Sequence, residues 1–261
     1  MADEVEVDVA IRGKPRPRSI DGEIAALAGR QHGVVARRQI AALGAGPGAI
    51  DRRLERGRLH VVHRGVYAVG HRAVSREGRW IAAVFAMGPE AVVSHRSAAA
   101  LWGIRRTARA RIEVTVPGRR ASRPTLEVHH GKLAADEVTT ERGIPVTAPN
   151  RTLLDLAAVL DARQVERAIN EAEFLRVTDP TSLDVLLKRH PRRRGAHALR
   201  RILAAQAIGA TIIRSELERR FLQFLDEAGL PRPEVNASLQ IATDRWIEAD
   251  FLWRPQHLTA E

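Results

Sequence analysis

Two acidic residues at the C-terminal end, Asp250 and Glu261, have the type and spacing of a metal-binding pair. Residues 246–253 and 257–261 flank a segment in which Pro255 suits position i+1 of a β-turn, so we predict a hairpin. This hairpin would pair residues 253, 252 and 251 with 258, 259 and 260, and Asp250 with Glu261. Directly opposed side chains lie about 5 Å apart, and two carboxylates at that separation repel each other unless a cation joins them. Mg²⁺ suits such a pair, and it would support hydrolysis of a phosphodiester.

A helix is predicted before this hairpin. Ser215 and Glu218 have the spacing of a capping box, which predicts that the helix begins there. Apolar residues then recur at helical spacing as far as Ala228, and Gly229 ends the segment. The predicted order of elements is therefore helix, loop, strand, turn and strand.

These residues together are similar to one nuclease family. Ser215-x-x-Glu218, Asn236, Glu248-x-Asp250-Phe251-Leu252-Trp253 and Glu261 resemble the front half of the very-short-patch-repair-like branch of the PD-(D/E)xK nucleases. The resemblance implies that Asp250 and Glu261 are catalytic acids that bind Mg²⁺, with Glu218 as a helix-borne accessory acid. In that family the chain continues past the second acid with more strand, a helix and more sheet. We therefore expect a truncated nuclease-like piece that is inactive as given, and an active Mg²⁺ enzyme only if a longer gene product completes it.

Composition limits the remaining function classes. The net charge of +11 and the pI near 11.3 favour a polyanionic partner, although the predominance of arginine over lysine also fits a GC-rich genome. The absence of cysteine excludes disulfides and thiolate metal sites. No apolar run has the length of a membrane span and no signal peptide is evident, so we expect a cytoplasmic protein.

The N-terminal part predicts a DNA-binding module. Residues 1–18 lack clear periodicity and are predicted to be a disordered arm. Residues 19–72 predict three short helices followed by a hairpin, which together form a winged helix-turn-helix. At about 100° per residue, the third helix turns Arg52 and Arg56 away from the core, with Arg53 beside them. The predicted DNA-binding residues are Arg37, Arg38, Arg52, Arg53, Arg56 and Arg64. Because the start of the third helix offers no bidentate side-chain donor, we expect phosphate contacts to dominate over base contacts.

This module is similar to a second family. Gly33-Val34-Val35, Arg38-x-x-Ala41-x-x-Gly44, Leu54-x-x-Gly57-x-Leu59 and Arg64-Gly65-Val66-Tyr67 resemble the N-terminal winged helix of the AbiEi antitoxins. These antitoxins are the DNA-binding halves of type IV toxin-antitoxin pairs. The resemblance implies autoregulatory binding to double-stranded DNA and a cognate toxin as a second partner.

Residues 73–205 predict an α/β middle region, which we assign to the same AbiEi-like module. Two runs with period-two alternation, Ile112–Val116 and residues 125–129, predict a half-buried sheet between helices. We interpret His95, Arg151 and Asp155 as cap and surface contacts, and we assign no metal to His129 and His130. The basic turn at residues 190–195 is predicted to be solvated, with a second phosphate clamp as the alternative.

The predicted fold class is α+β. It comprises an N-terminal winged helix-turn-helix, an α/β middle region and, over residues 206–261, a truncated restriction-endonuclease-like α-β-β piece. Three functions follow. The favoured one is a DNA-binding regulator or antitoxin-like protein, and the alternatives are an Mg²⁺-dependent endonuclease and a non-enzymatic interaction scaffold.

Overall fold

The computed structural model describes residues 19–242 and 245–260 of the chain. It has the expected mixed α+β composition, with helices and three sheets. It divides into two compact units that meet between Leu199 and Arg200. The predicted arm, residues 1–18, lies outside the described residues. Among the described helices, none combines the length and apolarity needed to cross a membrane.

The first part of the chain forms a small helical module with its own sheet. Its elements are α1 (Ile20–Gly29), β1 (Val34–Ala36), α2 (Arg37–Ala42), α3 (Pro47–Glu55), β2 (Leu59–His63) and β3 (Val66–Val69). The strands pair antiparallel in the order β1-β3-β2. This agrees in element order with the predicted winged helix-turn-helix, and β1 is an additional strand that the sequence analysis missed.

The two faces of this small sheet pack into two different apolar clusters. Val35, Leu59 and Tyr67 pack with the helices α1 to α3 in one buried cluster. Val34 and Val66 point the other way and join the core of the following region. Because successive strand residues face opposite sides, β1 and β3 are buried on both faces, and the module is joined directly to the region that follows.

That region, the middle region, is built around a five-stranded sheet. The strands are β4 (Val92–Val93), β5 (Ile112–Val116), β6 (Leu126–His130), β7 (Val138–Glu141) and β8 (Ile144–Thr147), in the order β6-β5-β4-β8-β7. The β5–β6 and β4–β8 pairs are parallel, and the β4–β5 and β7–β8 pairs are antiparallel. Its helices are α4 (Arg76–Met87), α5 (His95–Leu101), α6 (Pro149–Ala157), α7 (Ala162–Phe174) and α8 (Pro180–Arg189).

The two faces of β5 and β6 differ in chemistry. Val114, Val116, Leu126 and Val128 enter the apolar core together with α4. The alternate positions carry Glu113, Thr115, Glu127 and His129, and they pair in register as Glu113 with Glu127 and Thr115 with His129. A polar face of a sheet normally meets water, yet Glu113 and Thr115 are buried.

The second unit contains most of a long helix and a three-stranded antiparallel sheet. Helix α9 (Ala196–Glu227) begins in the first unit, and β9 (Glu234–Ala242), β10 (Arg245–Trp253) and β11 (Leu258–Ala260) follow it. The predicted helix start at Ser215 is wrong, because α9 runs through this residue without a break. The residues just before Ser215 contain no proline, and Gly209 disfavours a helix by only about 1 kcal/mol, so the helix is not stopped there.

The predicted hairpin is confirmed. Phe251 pairs with Ala260, Leu252 with Thr259 and Trp253 with Leu258, as the turn at Pro255 required. A 3₁₀ turn at Arg254–Gln256 and a left-handed His257, with φ of 51°, close it. Strand β9, which was not predicted, pairs with β10 on its other side. Phe221, Leu225, Phe251 and Trp253 form the apolar cluster of this unit.

Candidate nucleic-acid interface

Arg52 on helix α3 and Arg56 at its C-cap are the two arginines on which the DNA-binding prediction depends. Gly46 is the N-cap of α3 and Pro47 occupies its first turn, where the missing N–H costs nothing. Ile50 is buried and Leu54 is half-buried, which fixes the rotation of the helix. Arg52 and Arg56 are both exposed as a result, so their guanidinium groups are available to an external anion.

Arg53 lies in a different environment from its neighbours. Its Nε is 2.6 Å from Asp21 Oδ1, and Arg58 Nη1 is 2.5 Å from Asp21 Oδ2. The hydrogen bond from Arg53 holds the pKa of the Asp21 carboxyl below its usual value. Arg53 Nη1 also donates to the Ala49 carbonyl, at 2.8 Å. Arg53 therefore links α3 to α1, whereas the sequence predicted that its side chain contacts DNA.

The other predicted arginines lie at the start of α2 and in the β2–β3 turn. The backbone N–H of Arg37 donates to the Gly65 carbonyl at 2.8 Å, which places the first residue of α2 beside the turn that contains Arg64. Both arginines are exposed. Arg38 is also exposed, and its guanidinium lies over the ring of Phe85, 5.4 Å from the centroid.

The middle region contains a buried ionic network that the sequence analysis interpreted wrongly. Arg151 is fully buried, and Asp155 and Glu137 are each only 1% exposed. Arg151 Nε is 3.0 Å from Asp155 Oδ1, and its Nη1 donates to Glu137. The pair at i and i+4 therefore belongs to the interior, because α6 is covered by α5, α7 and α8.

The basic turn before α9 completes this network. Arg193 Nη2 is 3.2 Å from Asp155 Oδ1, and the His190 ring nitrogen Nε2 is hydrogen-bonded to Glu137. At least these two of its side chains are thus directed at buried acids, which differs from the solvated turn that was predicted. Gly195 permits the close approach, since its φ is 89° and an added Cβ would lie 2.6 Å from Ala158 N.

His95 joins this network to the polar face of β5 and β6. It is 4% exposed, has a left-handed φ of 52°, and its ring stacks on that of His129 with centroids 3.5 Å apart. Its Nδ1 is 3.0 Å from Ser94 Oγ and 4.0 Å from Asp155 Oδ2. Burial is the main cause that lowers the pKa of His95 to about 3, so His95 is neutral at physiological pH. It is a buried residue, which corrects the predicted surface or cap role.

Ser94 occupies the N-cap position of α5, but its hydroxyl does not cap the helix. It makes no capping bond, and instead it meets His95 and accepts from Thr115 Oγ1 at 2.8 Å. The capping function is supplied by a carboxylate from the sheet, because Glu113 Oε2 accepts from the backbone N–H of Arg96 at 3.0 Å.

Glu113, Glu127 and His129 offer ligand atoms within 4.8 Å of one another, a spacing compatible with a metal ion. His129 therefore has nearby carboxylates, contrary to the sequence interpretation. The same carboxylates, however, already have cationic partners. Arg96 Nη1 is 3.0 Å from Glu113 Oε1, and Arg109 Nη1 is 3.6 Å from Glu127 Oε2. Because guanidinium groups neutralise both acids, we assign no cation to this group.

Comparison with known protein families gives one match in the N-terminal module and one in the middle region. Residues 23–70 match the family model described as "Transcriptional regulator, AbiEi antitoxin", and residues 90–205 match the model described as "AbiEi antitoxin C-terminal domain". Each of the two models covers less than half of the chain, and both describe AbiEi antitoxin domains. The α3 arginines lie in the first matched segment, and the buried network lies in the AbiEi C-terminal domain.

The other comparisons add little to this assignment. No curated protein sequence matches the chain. Among solved structures, the RV2827C protein from Mycobacterium tuberculosis is similar at 18% sequence identity, with a TM-score of 0.35, over 64% of this chain and 79% of that chain.

The predicted nuclease acids lie outside both AbiEi segments. Glu261 lies outside the described residues, and so do the side chains of Glu218 and Asp250, although the backbone of these two belongs to α9 and β10. The predicted metal pair therefore stays a prediction.

One sequence signal could have indicated the buried network. Glu113 and Thr115, like Glu127 and His129, are two residues apart and alternate with apolar residues of their strands. Such strands were interpreted as half-exposed. In the fold, Glu113 is the acid that pairs with Arg96, but only the β4–β5 pairing brings these two residues together.

Proposed function

We propose that the chain is a DNA-binding, antitoxin-like regulator whose N-terminal AbiEi domain contacts the phosphates of double-stranded DNA. The observation that carries the proposal is the exposure of Arg52 on α3 and of Arg56 at its C-cap, in a module whose neighbouring Arg53 is fixed to Asp21. A rigid helix that presents two free guanidinium groups is suited to a groove and its flanking phosphates.

Further contacts come from Arg37, Arg38 and Arg64. The Arg37 to Gly65 hydrogen bond keeps the start of α2 and the β2–β3 turn together, so Arg37 and Arg64 can contact the same duplex. Residues 48 and 49 at the start of α3 are Gly and Ala, which offer no side-chain donor to a base edge. Binding should therefore depend strongly on salt and moderately on sequence.

The test is a salt titration of duplex affinity with a charge-matched control. Arg52→Gln/Arg56→Gln removes two exposed arginines spaced by four residues, one on α3 and one at its C-cap. Arg163→Gln/Arg167→Gln removes an exposed pair of the same spacing on α7. Two lost phosphate contacts should reduce the slope of log affinity against log salt by about 2.

The control variant should keep the wild-type slope. Equal losses in both variants would show that only net charge matters. A wild-type affinity that does not respond to salt would favour the interaction scaffold instead of a DNA-binding protein.

A cognate toxin is the second partner that we propose, because both AbiEi antitoxin domains are present. Coexpression with a candidate toxin should restore growth. If Arg52→Gln/Arg56→Gln restores growth as well as the wild type does, neutralisation is separate from DNA binding. If the wild-type chain does not restore growth with its candidate toxin, the antitoxin part of the proposal fails.

A nuclease function of a longer gene product is the second candidate. The observed register of Phe251 with Ala260 supports it, because one further step of the same pairing would place Asp250 opposite Glu261. Plasmid nicking with Mg²⁺ or Mn²⁺, compared with Asp250→Asn, tests this function. Cleavage that persists in the variant, or its absence from a chain that continues past residue 261, would reject the candidate.

A further inference from the structure

A cavity of about 250 Å³ on the first unit is lined by four arginines from two separate segments. Arg76 and Arg79 lie in the first turns of α4, and Arg109 and Arg111 lie in the segment that leads into β5. All four are exposed. None of them belongs to the predicted DNA-binding set.

The arginines before β5 are held in place by the sheet. Arg109 Nη1 lies 3.6 Å from Glu127 Oε2 and 3.9 Å from Glu113 Oε1. Arg111 Nη2 donates to the backbone carbonyls of Arg123 and Leu126, each at 3.3 Å. A guanidinium has five N–H donors, so each group has further donors for a ligand while its position is fixed.

The α4 arginines have no carboxylate partner among the described residues. Arg76 lies over the ring of Trp80, 4.7 Å from the centroid, and Trp80 itself is 4% exposed. The indole is thus a buried platform that orients Arg76 without neutralising it. Arg79 forms no ion pair with any described residue.

The charge around the cavity is therefore unbalanced. Of the four cations only Arg109 lies near carboxylates, those of Glu113 and Glu127, and Arg96 also pairs with Glu113. Guanidinium groups that converge on one concave site repel each other unless an anion joins them, and their fork geometry suits phosphate oxygens.

We propose that this cavity binds a compact anion with two or more phosphate groups, such as inorganic pyrophosphate or the phosphate end of a nucleoside diphosphate or triphosphate. The volume is below the roughly 300–1,000 Å³ of sites for drug-sized ligands, so the phosphates fill the cavity and any nucleoside stays outside it. Because the arginines come from two segments that line the cavity, they suit an anion with two phosphate groups better than a single phosphate. This inference goes beyond the proposed DNA-binding function, since it involves none of the α2, α3 or β2–β3 arginines.

The site also has a route of communication with the DNA-binding module. Helix α4 packs against β1, β2 and β3, and Gly78, between Arg76 and Arg79, allows His32 O to approach so closely that an added Cβ would lie 2.7 Å from it. An anion that joins α4 to the β5 segment would stiffen the support of this module.

The experiment is calorimetric titration of the full chain with inorganic pyrophosphate at low, constant ionic strength. We expect one site per chain. Arg79→Gln and Arg76→Gln should each weaken binding about tenfold or more, since each removes charge-assisted hydrogen bonds. Arg163→Gln/Arg167→Gln, which removes twice the charge from an exposed helix face, should change the affinity less than twofold. Because the substituted arginines are exposed, the melting temperatures without ligand should equal that of the wild type.

Several outcomes would overturn the proposal. One is the absence of saturable heat, and another is an equal loss in the α7 control. Equal binding of sulfate at matched ionic strength would show a general anion surface and not a site for linked phosphates. A further outcome is that pyrophosphate fails to bind while Arg79→Gln weakens duplex binding, which would assign the cavity to the DNA footprint. Failure of Arg52→Gln/Arg56→Gln to affect DNA binding would refute the proposed function without affecting this site.

Discussion

Removal of the Arg151 guanidinium should destabilise the first unit far more than removal of an exposed cation of similar geometry. Arg151 is fully buried between Glu137 and Asp155, each 1% exposed. In Arg151→Met the apolar stem is retained while both carboxylates lose their shared partner. Breaking a buried ion pair typically costs about 3–5 kcal/mol, because the remaining charge has no water to solvate it.

Other partners of the two acids reduce this cost. Asp155 keeps Arg193 at 3.2 Å, and Glu137 keeps its hydrogen bond with His190. We therefore expect a loss near the lower limit, about 3 kcal/mol in the free energy of unfolding. Exchange of Glu137 for Gln in the same variant should recover part of that loss, since it removes one of the unpaired charges.

The chain offers a control with the same sequence spacing. Lys188 and Asp184 form an i,i+4 pair at 2.6 Å, but their side chains are 76% and 59% exposed. Lys188→Met should cost no more than about 0.5 kcal/mol, because exposed helical pairs are screened by water.

Urea denaturation followed by tryptophan fluorescence measures both variants. Trp102 donates from Nε1 to the Thr147 carbonyl at 2.9 Å, just before α6, so its emission reports on this part of the first unit. If Arg151→Met loses no more stability than Lys188→Met, the buried network does not stabilise the domain and the reasoning is refuted.

Three further predictions concern a glycine and two titrating groups. Gly195→Ala should destabilise the chain in the same assay, because its φ is 89° and its Cβ would lie 2.6 Å from Ala158 N; wild-type stability would contradict this. The pKa of His95 falls from 6.5 to about 3 on folding, so the unfolded chain binds the extra proton and stability should fall as pH drops below 6.5, by up to about 1.4 kcal/mol per pH unit. His95→Asn should remove that component from urea curves measured at several pH values, and an unchanged slope would refute it. The pKa of Asp21 is held below 3.8 by Arg53, so its stabilisation is present above pH 3.8 and is lost as pH falls through the lower folded value. The difference in melting temperature between wild type and Asp21→Asn should therefore be largest at neutral pH and vanish in strong acid, whereas a constant difference would contradict it.

Much of the architecture could be predicted from local patterns. Strand β5 begins and ends where its period-two alternation does, at Ile112 and Val116. The order of the three helices and the β2–β3 hairpin within residues 19–72 also agrees with the prediction, although β1 was not predicted. Matches to the AbiEi models over residues 23–70 and 90–205 agree with the family that the N-terminal and middle motifs resemble.

Two predictions of secondary structure failed, the helix start at Ser215 and the strand content before β10. Ser215 and Glu218 have the spacing of a capping box, yet α9 continues through them. Serine and glutamate are both tolerated inside a helix, so the spacing of a capping box alone does not determine where a helix begins. Strand β9 was missed for a related reason, since its pairing with β10 defines it more clearly than its own sequence.

The sequence by itself determined the hairpin register, the burial of Ile50 and the resulting exposure of Arg52 and Arg56, because a proline turn and a helical period act between near neighbours. Only the tertiary structure decided that Arg53 binds Asp21 and that Arg151, Asp155 and His95 are interior. Their partners are contributed by α1, by the turn before α9 and by β6. Whether a charged side chain faces water or a buried counter-charge depends on which distant elements cover it, and spacing along one helix carries no information about that.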